Sequence, residues 1–338
     1  MTCNGNRNGM IALCVCALLL IANIFITPTQ STMAAIPVYQ DADYQLLQRE
    51  GAIYSAYFLS EDTLIAVMRD GRVFKCANKG KTKSNIASMN ENITYTQNLH
   101  DTILIVTFSG RSLVIDKRTM QVKYDQLQGD IKRPLCISGD STIWALKVKD
   151  SIIPMYGYSN GSFIQKTNLV RNDRPRSAFI HKNLLVYDHV NGNRNGISYA
   201  NYENAEHPSI RILDKEIVRC MAASDNMRSP NVVCGTETGD IIILDMTFKV
   251  IDRISTAHKQ LEYVVSSAKH VVAISDGGVL CVYDISKKTL VTNRILHDIS
   301  PGGISLAPSG NYIVVWTVDG DWEDRRNKGY AVVHRIAR

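Results

Sequence analysis

The chain has 338 residues, of which 45% are hydrophobic and 21% charged. That composition belongs to a folded globular protein, long enough for one large domain or two smaller ones, and excludes intrinsic disorder. A net charge of +6 spread over this length implies at most weak steering of anions and excludes nucleic acid as the partner.

The N-terminus stands apart from the rest. Met10 to Ile26 is an uncharged apolar run, preceded by Arg7 and followed by a polar stretch. In that stretch Thr32 and Ala34, or Met33 and Ala35, occupy the −3 and −1 places of a cleavage site. Residues 1–35 therefore read as a secretory signal peptide. The alternative is a retained signal anchor through residues 10–26, although a membrane-crossing helix needs about 20 apolar residues. In both readings the positive charge stays on the near side. Residues 36–338 then cross to a periplasm, a secretory lumen or the extracellular space. Three of the eight cysteines fall in this leader; Cys76, Cys136, Cys220, Cys234 and Cys281 remain, with no CxxC spacing. This is not a disulfide framework. Cys220 and Cys234 can face each other across a hairpin centred near Met227, but separate buried thiols are the expected state.

From residue 51 onward the chain repeats. The stretches 70–86, 110–127, 239–254 and 275–290 each contain a glycine turn, a short β-rich strand, a polar turn and a second strand. Each is preceded by a further strand, at 63–68, 102–108, 231–236 and 270–275. Placing boundaries where the pattern restarts gives units that begin near residues 51, 90, 130, 170, 215, 256 and 297. About four short strands per unit, at a period of roughly 40 residues, mark the blades of a propeller. The fold class is accordingly all-β, a seven-bladed β-propeller of four-stranded antiparallel blades. The last unit has three strands of its own, at 304–307, 312–318 and 330–336, and residues 36–50, with Tyr44 and Leu46 in alternation, supply the fourth and close the ring.

The stretch 257–290, AHKQLEYVVSSAKHVVAISDGGVLCVYDISKKTL, resembles a WD40 repeat. His258 stands at the family's Gly-His position, and Tyr283-Asp284 at its Trp-Asp position, 25 residues on from His258. Residues 305–316 are similar to the family's Ser-Pro-Asp-Gly turn and following strand. No unit contains Trp-Asp, and Asp276 falls one place from the family's turn aspartate. The resemblance implies structural roles for His258, Tyr283 and Asp284, and for Asp245 and Asp116 in earlier units.

Catalytic motifs are not found. There is no GxSxG, HExxH, GxGxxG or zinc-type Cys/His pairing, and Lys75 stands where a phosphate-binding loop ending at Gly80-Lys81-Thr82 needs glycine. No cofactor or metal is expected. Unit four is the longest, and its DHVNGNRNGIS (188–198) predicts an extended hairpin. Asn92-Ile-Thr94 and Asn160-Gly-Ser162 match the glycosylation acceptor. Arg171, Arg174 and Arg176 form a basic cluster fit to pair with carboxylates or phosphates of a partner, and Trp322 sits among mixed charges as an anchor residue. The expected function is a noncatalytic scaffold that binds protein partners, a monomeric propeller within a complex. The alternatives are an enzyme or small-molecule binder using the central channel, and a bacterial envelope-assembly factor similar to the outer-membrane assembly propeller lipoprotein.

Overall fold

A computed structural model describes residues 44–46 and 51–336, apart from connecting segments of which the longest are 127–133, 204–209, 224–230 and 318–330. The leader and its cleavage sites, Arg171, Arg174, Arg176, Trp322 and Asn160 lie outside the described residues.

The described residues form seven four-stranded antiparallel sheets. Blade one comprises β2 (Ile53–Ser60), β3 (Thr63–Met68), β4 (Arg72–Ala77) and β5 (Thr82–Ser88). Blade two comprises β6 (Ile93–Asn98), β7 (Thr102–Thr107), β8 (Arg111–Asp116) and β9 (Val122–Gln126). Blade three has β10 (Pro134–Ile137), β11 (Ile143–Leu146), β12 (Ile152–Ser159) and β13 (Ser162–Val170). Blade four has β14 (Ala178–His181), β15 (Leu184–Asn191), β16 (Arg194–Asn201) and β17 (Ile210–Ile212). Blade five is β18 (Val218–Ala223), β19 (Val232–Thr236), β20 (Asp240–Leu244) and β21 (Val250–Ser255). Blade six is β22 (Leu261–Ser266), β23 (His270–Ser275), β24 (Val279–Asp284) and β25 (Thr289–Ile295). Blade seven combines β26 (Pro301–Leu306), β27 (Tyr312–Thr317) and β28 (Ala331–Arg335) with β1 (Tyr44–Leu46) from the other end of the chain.

The first strands meet in unbroken succession: β2, β6, β10, β14, β18, β22, β26 and back to β2. They are therefore the innermost strands. The second strands are buried on both faces; Leu64, Ile65, Ala66 and Val67 of β3 are all inaccessible to solvent. Neighbouring blades supply the cover. Apolar clusters join blade one to blades seven and two, blade three to four, and blade five to six. Each large aliphatic side chain so buried stabilises the fold by about 1.5–3 kcal/mol.

The seam between blades seven and one is closed by several contacts. Tyr44, Gln45 and Leu46 pair with Val333, Val332 and Ala331, and Leu46 joins the core. Tyr57 meets Trp316 edge to face at 6.1 Å, and the Ser309 amide donates to Glu61 Oε1 at 3.1 Å.

Antiparallel order places the turn between second and third strands at the same end of each blade as the connector to the next blade. At that connector face a glycine recurs with positive φ: Gly71, Gly110, Gly239 and Gly278. Three of their carbonyls accept from the following connector, from the amides of Met89 (3.0 Å), Thr256 (3.0 Å) and Leu296 (2.9 Å). A hydroxyl at the end of the second strand caps the same turn. Thr107, Thr236 and Ser275 accept from the amides of Arg111, Asp240 and Val279 at 3.1, 2.9 and 3.0 Å.

Two details differ from the sequence reading. The extended hairpin around 188–198 is present, paired from Leu184–Asn201 to Asn191–Arg194. The longest interval between first strands, however, is that from Pro134 to Ala178, because β12 and β13 form another long hairpin in blade three. Cys220 and Cys234 do not face each other. Cys220 lies opposite Gly235 and Cys234 opposite Met221, so the thiols project from opposite faces of the sheet, and all five cysteines outside the leader are free.

Candidate functional site

The innermost strands share an irregularity that sets what faces the axis. In six blades the pairing to the second strand slips after its first residue, leaving a bulge at Tyr54, Thr94, Leu135, Arg219, Glu262 and Gly302. Blade four alone pairs without the slip at this point. An extra residue in one strand turns its side chain out of the regular alternation. The residues before these positions, Ile53, Ile93, Pro134, Val218, Leu261 and Pro301, are all buried, whereas every bulge residue is at least partly open to solvent. The six bulges lie near the connector-face ends of the innermost strands, and five of them carry a side chain.

The bulges of blades five, six and one carry charge and a phenol. Arg219 Nη2 pairs with Glu262 Oε1 between neighbouring blades, the two side chains 24% and 25% exposed. Arg219 Nε is enclosed and meets no acceptor among the described residues. Beside Glu262 stands Tyr263, whose phenol is raised above its ordinary value by burial first and then by the negative charge of Glu262. Burial pushes the Tyr54 phenol up to about 12; Tyr57 and Tyr263 add to the shift and Arg69 opposes it. Tyr54 belongs to blade one and Tyr263 to blade six, and blade seven between them has Gly302 at the bulge position. The Arg69 amide donates to Ala52 O at 2.9 Å.

Farther along the first strands, neighbouring blades are tied together. Tyr95 donates to Gln97 Oε1. The Gln97 carboxamide then spans the gap between blades: Nε2 donates to Ile137 O at 2.8 Å, and Oε1 accepts from Ile137 N at 3.0 Å. Tyr57 Oη and Thr96 Oγ1, 2.8 Å apart, link blades one and two.

The aspartates singled out by the repeat lie at the opposite end of their blades, in the turns after the third strands. Asp116 Oδ1 accepts from the amides of Arg118 and Thr119, at 2.9 and 2.6 Å, and from the Thr119 hydroxyl. Asp245 Oδ1 accepts from the amides of Thr247 and Lys249. Asp284 Oδ1 accepts from Ser286 N and Oγ and from Lys287 N, and the Ser286 hydroxyl and these amides hold the carboxyl down to about 2. They are turn caps. Tyr283 donates to Asp252 of the preceding blade. His258 takes part through its backbone, its amide donating to Thr256 Oγ1 at 3.3 Å and its carbonyl accepting from the same hydroxyl at 3.2 Å. A buried histidine not singled out by the sequence does join blades: His270 Nδ1–H donates to Gly310 O at 3.0 Å.

None of the axial residues was marked by motif. The available signal was positional, the second residue of each first strand, and it becomes visible only when the units are aligned on their innermost strands. Among the described residues no group of three or more His, Cys, Asp or Glu side chains is placed to hold a metal ion.

No protein-family model matches this chain, and no curated protein matches it either. Solved structures do. The computationally designed protein Ika8 is similar to this chain with a TM-score of 0.59 and 14% sequence identity, over 88% of this chain and 100% of the designed one. At that identity the likeness speaks for the fold alone.

Proposed function

We propose that this protein is a noncatalytic scaffold, exported across a membrane, that binds protein partners on the loops of its propeller. The observation that carries this reading is the locked connector face. In blades one, five and six the turn glycine and the connector that follows hydrogen-bond to one another, so the connector-face loops of these blades are fixed against their own sheets. Loops so fixed offer a partner many contacts at little ordering cost. Arg171, Arg174, Arg176 and Trp322 are the proposed contact residues. The WD40-like stretch at 257–290 supports a propeller that assembles partners, by analogy of fold and sequence rather than of site.

Export rests on the uncharged run from Met10 to Ile26 and the small residues that follow it. Retention of that run would leave the propeller tethered on the far side of the membrane.

The test is affinity capture of the C-terminally tagged full chain from its native host after mild crosslinking, with mass spectrometry of the partners and of the bait's own N-terminus. A mature start at Ala35 or Ile36, with a stoichiometric set of envelope or secretory-pathway proteins, is the expected result. A chain that captures no partner refutes the scaffold. Replacing Arg171, Arg174 and Arg176 together by Ser is expected to abolish capture, and undiminished capture rejects their role.

A further inference from the structure

Asn92, Ile93 and Thr94 form an N-glycosylation acceptor where the connector from blade one enters blade two. The backbone there is fixed. The Ile93 amide donates to Arg69 O at 3.0 Å, and the Phe108 amide donates to Asn92 O at 2.9 Å. The second bond carries the pairing of β6 with β7 one residue beyond Ile93 and Thr107, so Asn92 and Phe108 stand opposite each other. Opposite residues of an antiparallel pair share a face. Ile93 and Thr107 are buried, whereas Asn92 and Phe108 are exposed.

Phe108, 66% exposed, is the most open large apolar side chain among the described residues. A lone exposed apolar residue needs no explanation by itself, but the position of this one supplies one. The same backbone hydrogen bond recurs in blades one, five and six, from Arg69 to Ala52, from Glu237 to Ile217 and from Asp276 to Gln260. In each case the donor is the first residue after the second strand. Those three donors are charged, and the aromatic one stands opposite the acceptor asparagine.

We propose that Asn92 is N-glycosylated and that the first sugar of the glycan covers the Phe108 ring. This rests on the export reading above and names the compartment, a secretory lumen that holds an oligosaccharyl transferase and a lipid-diphosphate-linked oligosaccharide. Asn92 Nδ2 attacks the anomeric carbon of the donor's reducing-end N-acetylglucosamine. The N–C bond forms, one Nδ2 proton passes to a base of the transferase, and the lipid diphosphate leaves with the electron pair of the broken C–O bond. After folding, the glycan springs from a strand end held on both sides. The C–H face of its first sugar is apolar, and laying it on the neighbouring ring removes from water the aromatic surface that the fold leaves bare.

The test uses the full chain purified from its native host. Mass spectrometry before and after peptide N-glycosidase is expected to show a glycan on the peptide that holds Asn92, released with conversion of that residue to aspartate. Asn92→Gln and Thr94→Ala are expected to lose the glycan, and Thr94→Ser, which keeps the hydroxyl, to retain it. Release of the glycan is expected to lower the melting temperature of the wild type by about 2 °C and to leave that of Phe108→Ala nearly unchanged. The new aspartate, and any release at Asn160, are common to both proteins, so the difference belongs to the ring. Equal shifts overturn the contact with Phe108. Export is read separately, from recovery in the medium or from protection against added protease inside sealed host membranes. An exported chain with a bare Asn92 overturns the proposal and leaves export standing; a chain open to protease on the cytosolic side overturns both.

Discussion

A β-carbon at position 239 would lie 1.8 Å from the carbonyl oxygen of His258, on a residue whose φ of +94° side chains rarely adopt. Glycine is required there twice over, by conformation and by the close approach of the connector. Gly239→Ala is therefore expected to destabilise the protein by more than about 2 kcal/mol. Gly277 is the control. Its β-carbon would meet only Ser275 Oγ, at 3.9 Å, and Gly277→Ala is expected to stay within about 1 kcal/mol of the wild type. Urea unfolding midpoints of the two variants check both. Asp284 makes a prediction about acid. Its carboxyl is held down from 3.8 to about 2, so its charged form contributes stability that is fully present above the ordinary carboxylate value and is lost as pH falls from 3.8 through about 2. Asp284→Asn removes that titration. The stability gap between wild type and variant is expected to narrow across this window, and a gap that widens toward acid contradicts the turn-cap assignment.

Strand elements reveal how sensitive side-chain direction is to register. A hairpin centred on Met227 would put Cys220 opposite Cys234, whereas the observed pairing places Cys220 opposite Gly235. One residue of slip sends the thiols into different cores. Cys220 donates toward Leu261 O at 3.3 Å in the layer between blades five and six, and Cys234 packs with Val186 and Ile242 between blades four and five. Burial pushes the thiols of Cys76 and Cys281 up to about 11, and those of Cys136, Cys220 and Cys234 further. A thiol reagent is expected to find none of these five reactive in the native protein and all five after denaturation, once the leader cysteines are blocked or absent. Detection of a Cys220–Cys234 disulfide rules out this register. The strands themselves were legible: the runs at 63–68 and 270–275 coincide with β3 and β23, because a strand covered on both faces needs an unbroken apolar run. The bulges were not, since an extra residue at a strand start leaves the hydrophobic pattern almost unchanged.

At the scale of the whole molecule, stability depends on closing the ring. β1 covers the edge of β28, and Leu46, 1% exposed, sits in the same apolar cluster as Val314, Trp316, Ala331 and Val333. Without β1 that edge would offer unpaired backbone groups and apolar side chains to other chains. Deleting residues 36–50 is expected to lower the melting temperature sharply or to drive oligomerisation. Light scattering coupled to size exclusion, with a thermal melt, decides the matter, and a monomer with an unchanged melting temperature disproves the dependence.

The sequence by itself determined the number of blades and the order of strands within them, because turn glycines and apolar runs recur at a steady period whatever their neighbours. The partners of Asp116, Asp245 and Asp284 lie within the next few residues, so these turns are local to the sequence. Only the tertiary structure decided which side chains meet at the axis. Tyr54 and Arg69 belong to blade one, and Arg219, Glu262 and Tyr263 to the consecutive blades five and six, and closing the ring brings blade one round to them through blade seven, with bulges at Tyr54, Arg219 and Glu262.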